Sequence, residues 1–200
     1  MKTLLTGFEP FGDVKINSSQ LVVERLADRH RALMTKVLPT EYIAAGRCII
    51  DLIERLRPNR IICLGVAEGR DAINLERIAL NLDDANVPDN ARLQRTGVPI
   101  VAGAPLAYAS TLPLAEMCEG LAGKGIPVAI SNHAGTYVCN HVFYLARHQV
   151  EIAGREAQCG FIHLPAISEP TGTEPGRSPG RSPGMSLDVI VTAIDYCLSL

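Results

Sequence analysis

The sequence predicts an α/β fold: a single three-layer domain over residues 1–200, with a largely parallel, twisted sheet and helices on both faces. Three observations point there. Short apolar, β-branched stretches alternate with amphipathic stretches of helical spacing along most of the chain. Some of the strand-like stretches, such as Ile61-Ile62-Cys63-Leu64 and Ile126-Pro127-Val128-Ala129-Ile130, are apolar nearly throughout, as strands buried in parallel sheets are. Four turns, at 7–12, 65–71, 131–139 and 164–169, fall where strands of such a sheet should end, and sites gather at carboxyl ends.

Taken in order, residues 3–6 read as a first strand, followed by the turn Gly7-Phe8-Glu9-Pro10-Phe11-Gly12. Ser18 or Ser19 can cap a helix that runs through Leu21, Val22 and Leu26. Residues 33–38 form a second strand, and 42–56 a long amphipathic helix offering Ile43, Ile49, Ile50 and Ile53 to the core. A third strand covers 60–65, and 76–82 alternates like a half-exposed strand. The stretch 83–101 is rich in Asp, Asn and Pro and predicts a long irregular arm. A helix over 114–121, a buried strand ending near Ser131, a helix over 137–150, a strand over 161–164 and a closing helix over 186–200 complete the alternation. Residues 168–184 contain the repeat Arg-Ser-Pro-Gly twice and predict a mobile surface loop, its arginines solvated.

Composition excludes several functions. Hydrophobic residues make up 47% and the net charge is -2, unlike a disordered chain or a general nucleic-acid binder. With 4% aromatics and no Trp, a stacking platform for bases is not expected. No apolar run has bilayer length and the N-terminus does not read as a signal peptide, so a soluble, cytoplasmic protein is expected, without a membrane role. Six cysteines, at 48, 63, 118, 139, 159 and 197, are scattered without a CxxC pair. Neither a disulfide framework nor a thiolate metal site follows from that spacing, and no cofactor is expected.

Cys139 is the residue with the most chemical context. It sits where the strand before Ser131 gives way, through small residues, to a helix. Unpaired N–H groups and the positive helix end there favour thiolate, the nucleophilic form. Such a nucleophile needs a base, commonly His, and often a third group that orients the ring. His163 ends a strand on the expected edge and His133 lies on the turn itself, so both stay candidates. His141 points to another face of the helix, His148 reads as a solvated helix position and His30 as part of a polar connector. Glu76 is a candidate orienting acid, with Asp83 and Asp84 as rivals. The turn at 7–12 lacks the Gly-Lys-Ser/Thr ending of a phosphate loop, and Phe8 and Phe11 suit an apolar pocket better.

Several motifs together resemble the pyroglutamyl peptidase I (pyrrolidone-carboxylate peptidase) family. They are Leu5-Thr6-Gly7-Phe8-Glu9-Pro10-Phe11-Gly12, Asn17, Leu75-Glu76-Arg77, Asp84-Ala85, Pro88-Asp89-Asn90, Ala134-Gly135-Thr136-Tyr137-Val138-Cys139-Asn140 and Phe161-Ile162-His163-Leu164-Pro165. The resemblance implies a cysteine exopeptidase acting on peptides with an N-terminal pyroglutamate, metal-free, cytosolic and commonly a homotetramer. It implies Cys139 as nucleophile, His163 as base and Glu76 as the group orienting His163. It also implies substrate contacts from Phe8, Phe11, Asn17, Val66, Tyr137 and Val138. The chain departs from the family pattern in places. Val66 and Glu68 stand within a motif that usually reads Gly-Gln-Ala-Gly-Gly-Arg, Asn86 stands where Arg is usual, and His133 replaces a small residue. Those departures bear on substrate specificity, and a related amidase or acyl-transfer enzyme on the same scaffold is the alternative they raise.

Overall fold

A computed structural model describes residues 1–12, 15–168 and 184–200. The expected mobile loop falls, apart from its two ends, outside the described residues. In chain order the elements are β1 (Thr3–Phe8), α1 (Ser18–Arg29), β2 (Met34–Leu38), α2 (Tyr42–Leu56), β3 (Arg60–Val66), β4 (Ile73–Leu80), β5 (Ala107–Ala109), α3 (Leu114–Gly123), β6 (Val128–His133), α4 (Val138–Ile152), β7 (Gln158–Leu164) and α5 (Leu187–Ser199).

The seven strands form one sheet in the order β2-β1-β3-β7-β4-β5, with β6 on the remaining side of β4. β2, β1, β3 and β7 run parallel, as expected of strands that alternate with helices. β4 runs antiparallel to β7, and β6 is parallel to β4. Alternation of side chains then separates two cores. Leu4, Ile61, Cys63, Cys159 and Phe161 face α2 and α4, whereas Leu5, Ile62, Leu64, Leu75, Ile162 and Leu164 face α1, α3 and α5. The three-layer α/β architecture is therefore present.

Some details differ from the sequence reading. The strand before Ser131 is not buried: β6 is an edge strand with half-buried and exposed positions, because it pairs only with β4. Its carboxyl end also points the opposite way from those of β1, β3 and β7, so three turns rather than four share the common edge by strand direction. The cap of α1 is Asn17, whose Oδ1 accepts from the Ser19 backbone N–H at 3.0 Å and the Ser19 hydroxyl at 2.7 Å. Ile43 is 54% exposed, on the outer face of α2, while Ile49 and Ile53 are buried and Ile50 packs at the margin. β5 has no apolar periodicity to announce it and exists because β4 outruns β7. β7 pairs with Asn74 to Glu76, and β5 takes Ile78 to Leu80.

One buried polar residue holds α4 to the sheet. The Asn140 Oδ1 accepts from the Leu80 N–H at 2.9 Å, and its Nδ2 donates to the carbonyls of Leu80 at 2.9 Å and Leu82 at 3.0 Å. Removing it leaves β4 backbone groups unpaired in a dry setting. Asn140→Ala is expected to cost roughly 2–4 kcal/mol of stability, read from the midpoint of a denaturant titration. Burial also pushes the Cys63 and Cys197 thiols up to about 12, against opposing contributions from the Thr6 hydroxyl and Arg60 respectively. An unfolded thiol ionises near about 8.5, so above that pH the unfolded chain loses protons the folded chain keeps. Stability is accordingly full below that pH and falls as pH rises toward 12. Melting temperatures measured across this range are expected to drop, and less steeply in Cys63→Ala.

Candidate active site

β3 and β7 lie side by side with Gly65 opposite His163, and β4 crosses β7 with Asn74 opposite His163 and Glu76 opposite Phe161. Glu76 and His163 are thus diagonal neighbours on one face, within reach of long side chains. The His163 Nδ1 lies 2.7 Å from the Glu76 Oε1. A carboxylate can only accept, so Nδ1 carries the hydrogen and Nε2 is left to accept a proton. Both groups are buried, and the Phe161 ring packs 4.8 Å from the imidazole. Glu76 is also reached by Arg70, whose Nη1 donates to the same Oε1 at 3.2 Å.

Cys139 is the second residue of α4, which begins after Tyr137 without a side-chain cap. The helix comes so close to β3 that a Cβ on Gly65 would lie 2.8 Å from the Cys139 Sγ and 2.9 Å from the Phe161 Cζ. Glycine is required there by close approach, not by backbone angles. The helix start is where the sequence predicts it, but its effect on the thiol is outweighed. Burial pushes the Cys139 thiol up to about 12, the Glu76 charge and Cys63 add to this, and the residue's own backbone N–H opposes it. The thiol therefore keeps its proton until a base takes it.

Cys139 and His163 line one cavity of about 300 Å³ with Phe8, Phe11, Asn17, Val66, Glu68, Arg70 and Tyr137 in its wall. Phe11 and Tyr137 face each other at 6.1 Å. Val138 is fully buried in the core and is not part of that wall, so of the expected substrate contacts it alone lies elsewhere. Thr40 and Arg70 line the cavity as well and were not singled out by the sequence. For Arg70 the signal was its place at the end of a glycine turn, Gly69 taking φ +83°. Asn86 is exposed on the arm, outside the wall.

The rival groups are engaged elsewhere. The His133 Nδ1 accepts from the Gly135 N–H at 3.1 Å, a turn contact on the surface. Asp83 binds the His141 Nδ1 at 2.8 Å and the Arg95 Nε at 2.7 Å, and the Asp84 Oδ1 accepts from the Gly97 N–H. His148 is not simply solvated, since its Nδ1 meets the Tyr108 hydroxyl at 2.9 Å. The arm at 83–101 grips the turn before α4: the Thr136 hydroxyl donates to the Asp84 carbonyl at 2.6 Å and the Tyr137 hydroxyl to that of Pro88 at 3.1 Å.

A thiol that keeps its proton, in the wall of one cavity with an imidazole whose Nε2 can accept it, suits base-assisted nucleophilic attack. Alkylation of Cys139 by iodoacetamide is expected to slow about 10²-fold or more at neutral pH in His163→Ala, the lower end of the range typical of lost base catalysis. The rate should recover only as pH nears the thiol's own value. Equal rates by mass spectrometry would disconnect thiol from imidazole.

Comparison with known proteins identifies the family. The family model described as pyroglutamyl peptidase matches residues 1–199. A pyrrolidone-carboxylate peptidase of Gloeobacter violaceus is 44% identical over 180 residues, covering 88% of this chain and 87% of that protein. One from Bacillus cereus is 39% identical over 199 residues, covering 98% and 90%. The crystal structure of Bacillus amyloliquefaciens pyroglutamyl peptidase I superposes with a TM-score of 0.88 at 36% identity, covering 98% of this chain and 93% of that one. A mutant pyrrolidone carboxyl peptidase of Pyrococcus furiosus gives 0.91 at 38%, covering 100% and 97%. On the extent of these matches, the chain belongs to the pyroglutamyl peptidase family of cysteine peptidases.

Proposed function

We propose that this chain hydrolyses the amide bond that follows an N-terminal pyroglutamyl residue, with Cys139 as nucleophile, His163 as general base and acid, and Glu76 orienting the imidazole. The observation that carries this assignment is the 2.7 Å contact of His163 with buried Glu76 in the wall of the cavity that Cys139 also lines. The His163 Nε2 takes the thiol proton as Sγ attacks the carbonyl carbon, and the Glu76 charge stabilises the imidazolium that forms. In this reading, backbone N–H groups at the start of α4 stabilise the oxyanion. Collapse of the tetrahedral adduct breaks the C–N bond, and the departing amine takes the proton from Nε2. Water, deprotonated by the same imidazole, then attacks the thioester and releases pyroglutamate and the free thiol.

The cavity wall suits a small, flat, neutral ring. Phe8, Phe11 and Tyr137 supply apolar faces. Asn17 has its Oδ1 committed to capping α1, while its Nδ2, which donates one hydrogen to the Glu9 carbonyl at 3.1 Å, carries a second that suits a ring carbonyl. Val66, in contrast, brings no hydrogen-bonding side chain to the wall, and Glu68 stands beside it, which favours weaker ring binding than is usual in the family. No helix among the described residues is long and apolar enough to cross a membrane. We further propose a cytoplasmic homotetramer, which the family resemblance supports; light scattering that returns a single-chain mass would overturn it.

Release of a fluorophore from its pyroglutamyl amide tests the reading, with the glutamyl amide as control. Cys139→Ala is expected to abolish release, His163→Ala to lower it by about 10³-fold or more, and Glu76→Gln by less. Val66→Gln is expected to raise kcat/KM by about fivefold or more, through one added hydrogen bond to the ring. Inactivity of both proteins toward the pyroglutamyl amide, with turnover of another amide, would instead favour the altered-substrate alternative.

A further inference from the structure

Glu76 is buried with 0% exposure, and its Oε2 makes no hydrogen bond among the described residues. Every hydrogen bond that reaches this carboxylate among the described residues is therefore made at Oε1. Two groups meet that oxygen: the His163 Nδ1 at 2.7 Å and the Arg70 Nη1 at 3.2 Å. Only one of them is a permanent cation. A buried carboxylate left facing a neutral imidazole alone would draw a proton onto that ring, to gain the opposite charge it lacks. The resulting imidazolium is useless as a base.

Arg70 is held in place to act here. The loop between β3 and β4 is anchored to β7 by the Ala67 N–H, which donates to the Leu164 carbonyl at 2.9 Å beside His163. Gly69 adopts φ +83°, which turns the chain so that the guanidinium points back toward β4. Its side chain stays 39% exposed and lines the cavity, so one end meets solvent and the other the buried acid. We propose that Arg70 is a positioning residue for the base, which pins the Glu76 carboxylate and balances its charge so that His163 can serve as acceptor for the thiol proton. This rests on the reading of Cys139, His163 and Glu76 as the reactive set.

Among the described residues, the titratable and charged groups around the imidazole are Glu76 on β4, Arg70 and Glu68 on the β3–β4 loop, Tyr137 just before α4, Cys139 on α4 and, beyond it, Cys63 on β3. Removing the cation from this set favours imidazolium and disfavours thiolate. Both effects move the acid limb of Cys139 reactivity to higher pH.

The experiment is the pH dependence of Cys139 alkylation by iodoacetamide, read by mass spectrometry, in the full chain with Arg, Lys, Met or Gln at position 70. The pH dependence of kcat/KM on the pyroglutamyl amide is measured in parallel. Arg70→Met and Arg70→Gln are expected to displace the acid limb upward by about half a pH unit or more, and Arg70→Lys by less than half of that displacement. An unmoved limb in Met and Gln, or a Lys variant moved as far as they are, overturns the proposal. Should Arg70→Met fail to fold, Arg70→Gln carries the same comparison. Alkylation needs no substrate, so a displaced limb in a chain that releases no pyroglutamyl group would sink the substrate reading and leave this one standing.

Discussion

The structure depends on the burial of one carboxylate. Glu76 sits in the middle of β4, where a charge costs several kcal/mol unless it is paired and hydrogen-bonded. The pairing exists because β4 runs against β7, which puts residue 76 opposite Phe161 and diagonal to His163. The same alternation turns Leu75 into the opposite core. Phe161 then occupies the space between the acid and α4, packing on the imidazole and against the rings of Phe8 and Phe143.

A second carboxylate just past the end of β4 repeats the arrangement for another purpose. Asp83 is shared between His141 and Arg95, as Glu76 is between His163 and Arg70. Here the imidazole packs edge-on to Tyr42, and the cavity beside Cys139 does not reach it. The result is a clamp. Asp89 accepts from the Tyr42 N–H at 2.9 Å, giving α2 a cap that its own sequence lacks, and Asn90 donates to the Glu9 side chain and the Pro10 carbonyl. The irregular arm thereby joins three walls of the cavity that come from distant parts of the chain.

Much of this was legible in the sequence where periodicity or turn chemistry spoke. The alternation of elements, the strand–turn–helix around Cys139 and the place of His163 at a strand end all follow from local pattern. What local pattern could not supply was partnership. β6 reads as buried because it is apolar, yet an edge strand with one neighbour leaves that apolar surface half covered. Asn17 reads as a polar contact, and its capping role depends on how the turn meets α1. Val138 shares the motif of Cys139 but faces inward, a rotation around the helix that the motif does not encode. The thiol is the sharpest case: the helix start is visible in the sequence, while burial and the charge of Glu76 are tertiary facts and outweigh it.

β4 meets the rest of the fold at three fixed points: Glu76 with His163, the Leu80 backbone with Asn140, and Asp83, beyond its end, with His141. A slip of one residue would turn Glu76 to the other face of the sheet and uncouple all three at once. This strand is therefore where inheritance has least room, because a change that spoils chemistry there also spoils folding. The end of β3 with the loop that follows it, at 66–71, and the turn before α4, at 134–137, supply cavity wall at the margin of the sheet. Away from Arg70, new substrate preferences can arise in those segments by drift, at little risk to the scaffold, and it is in one of them that Val66 and Glu68 already depart from the family pattern.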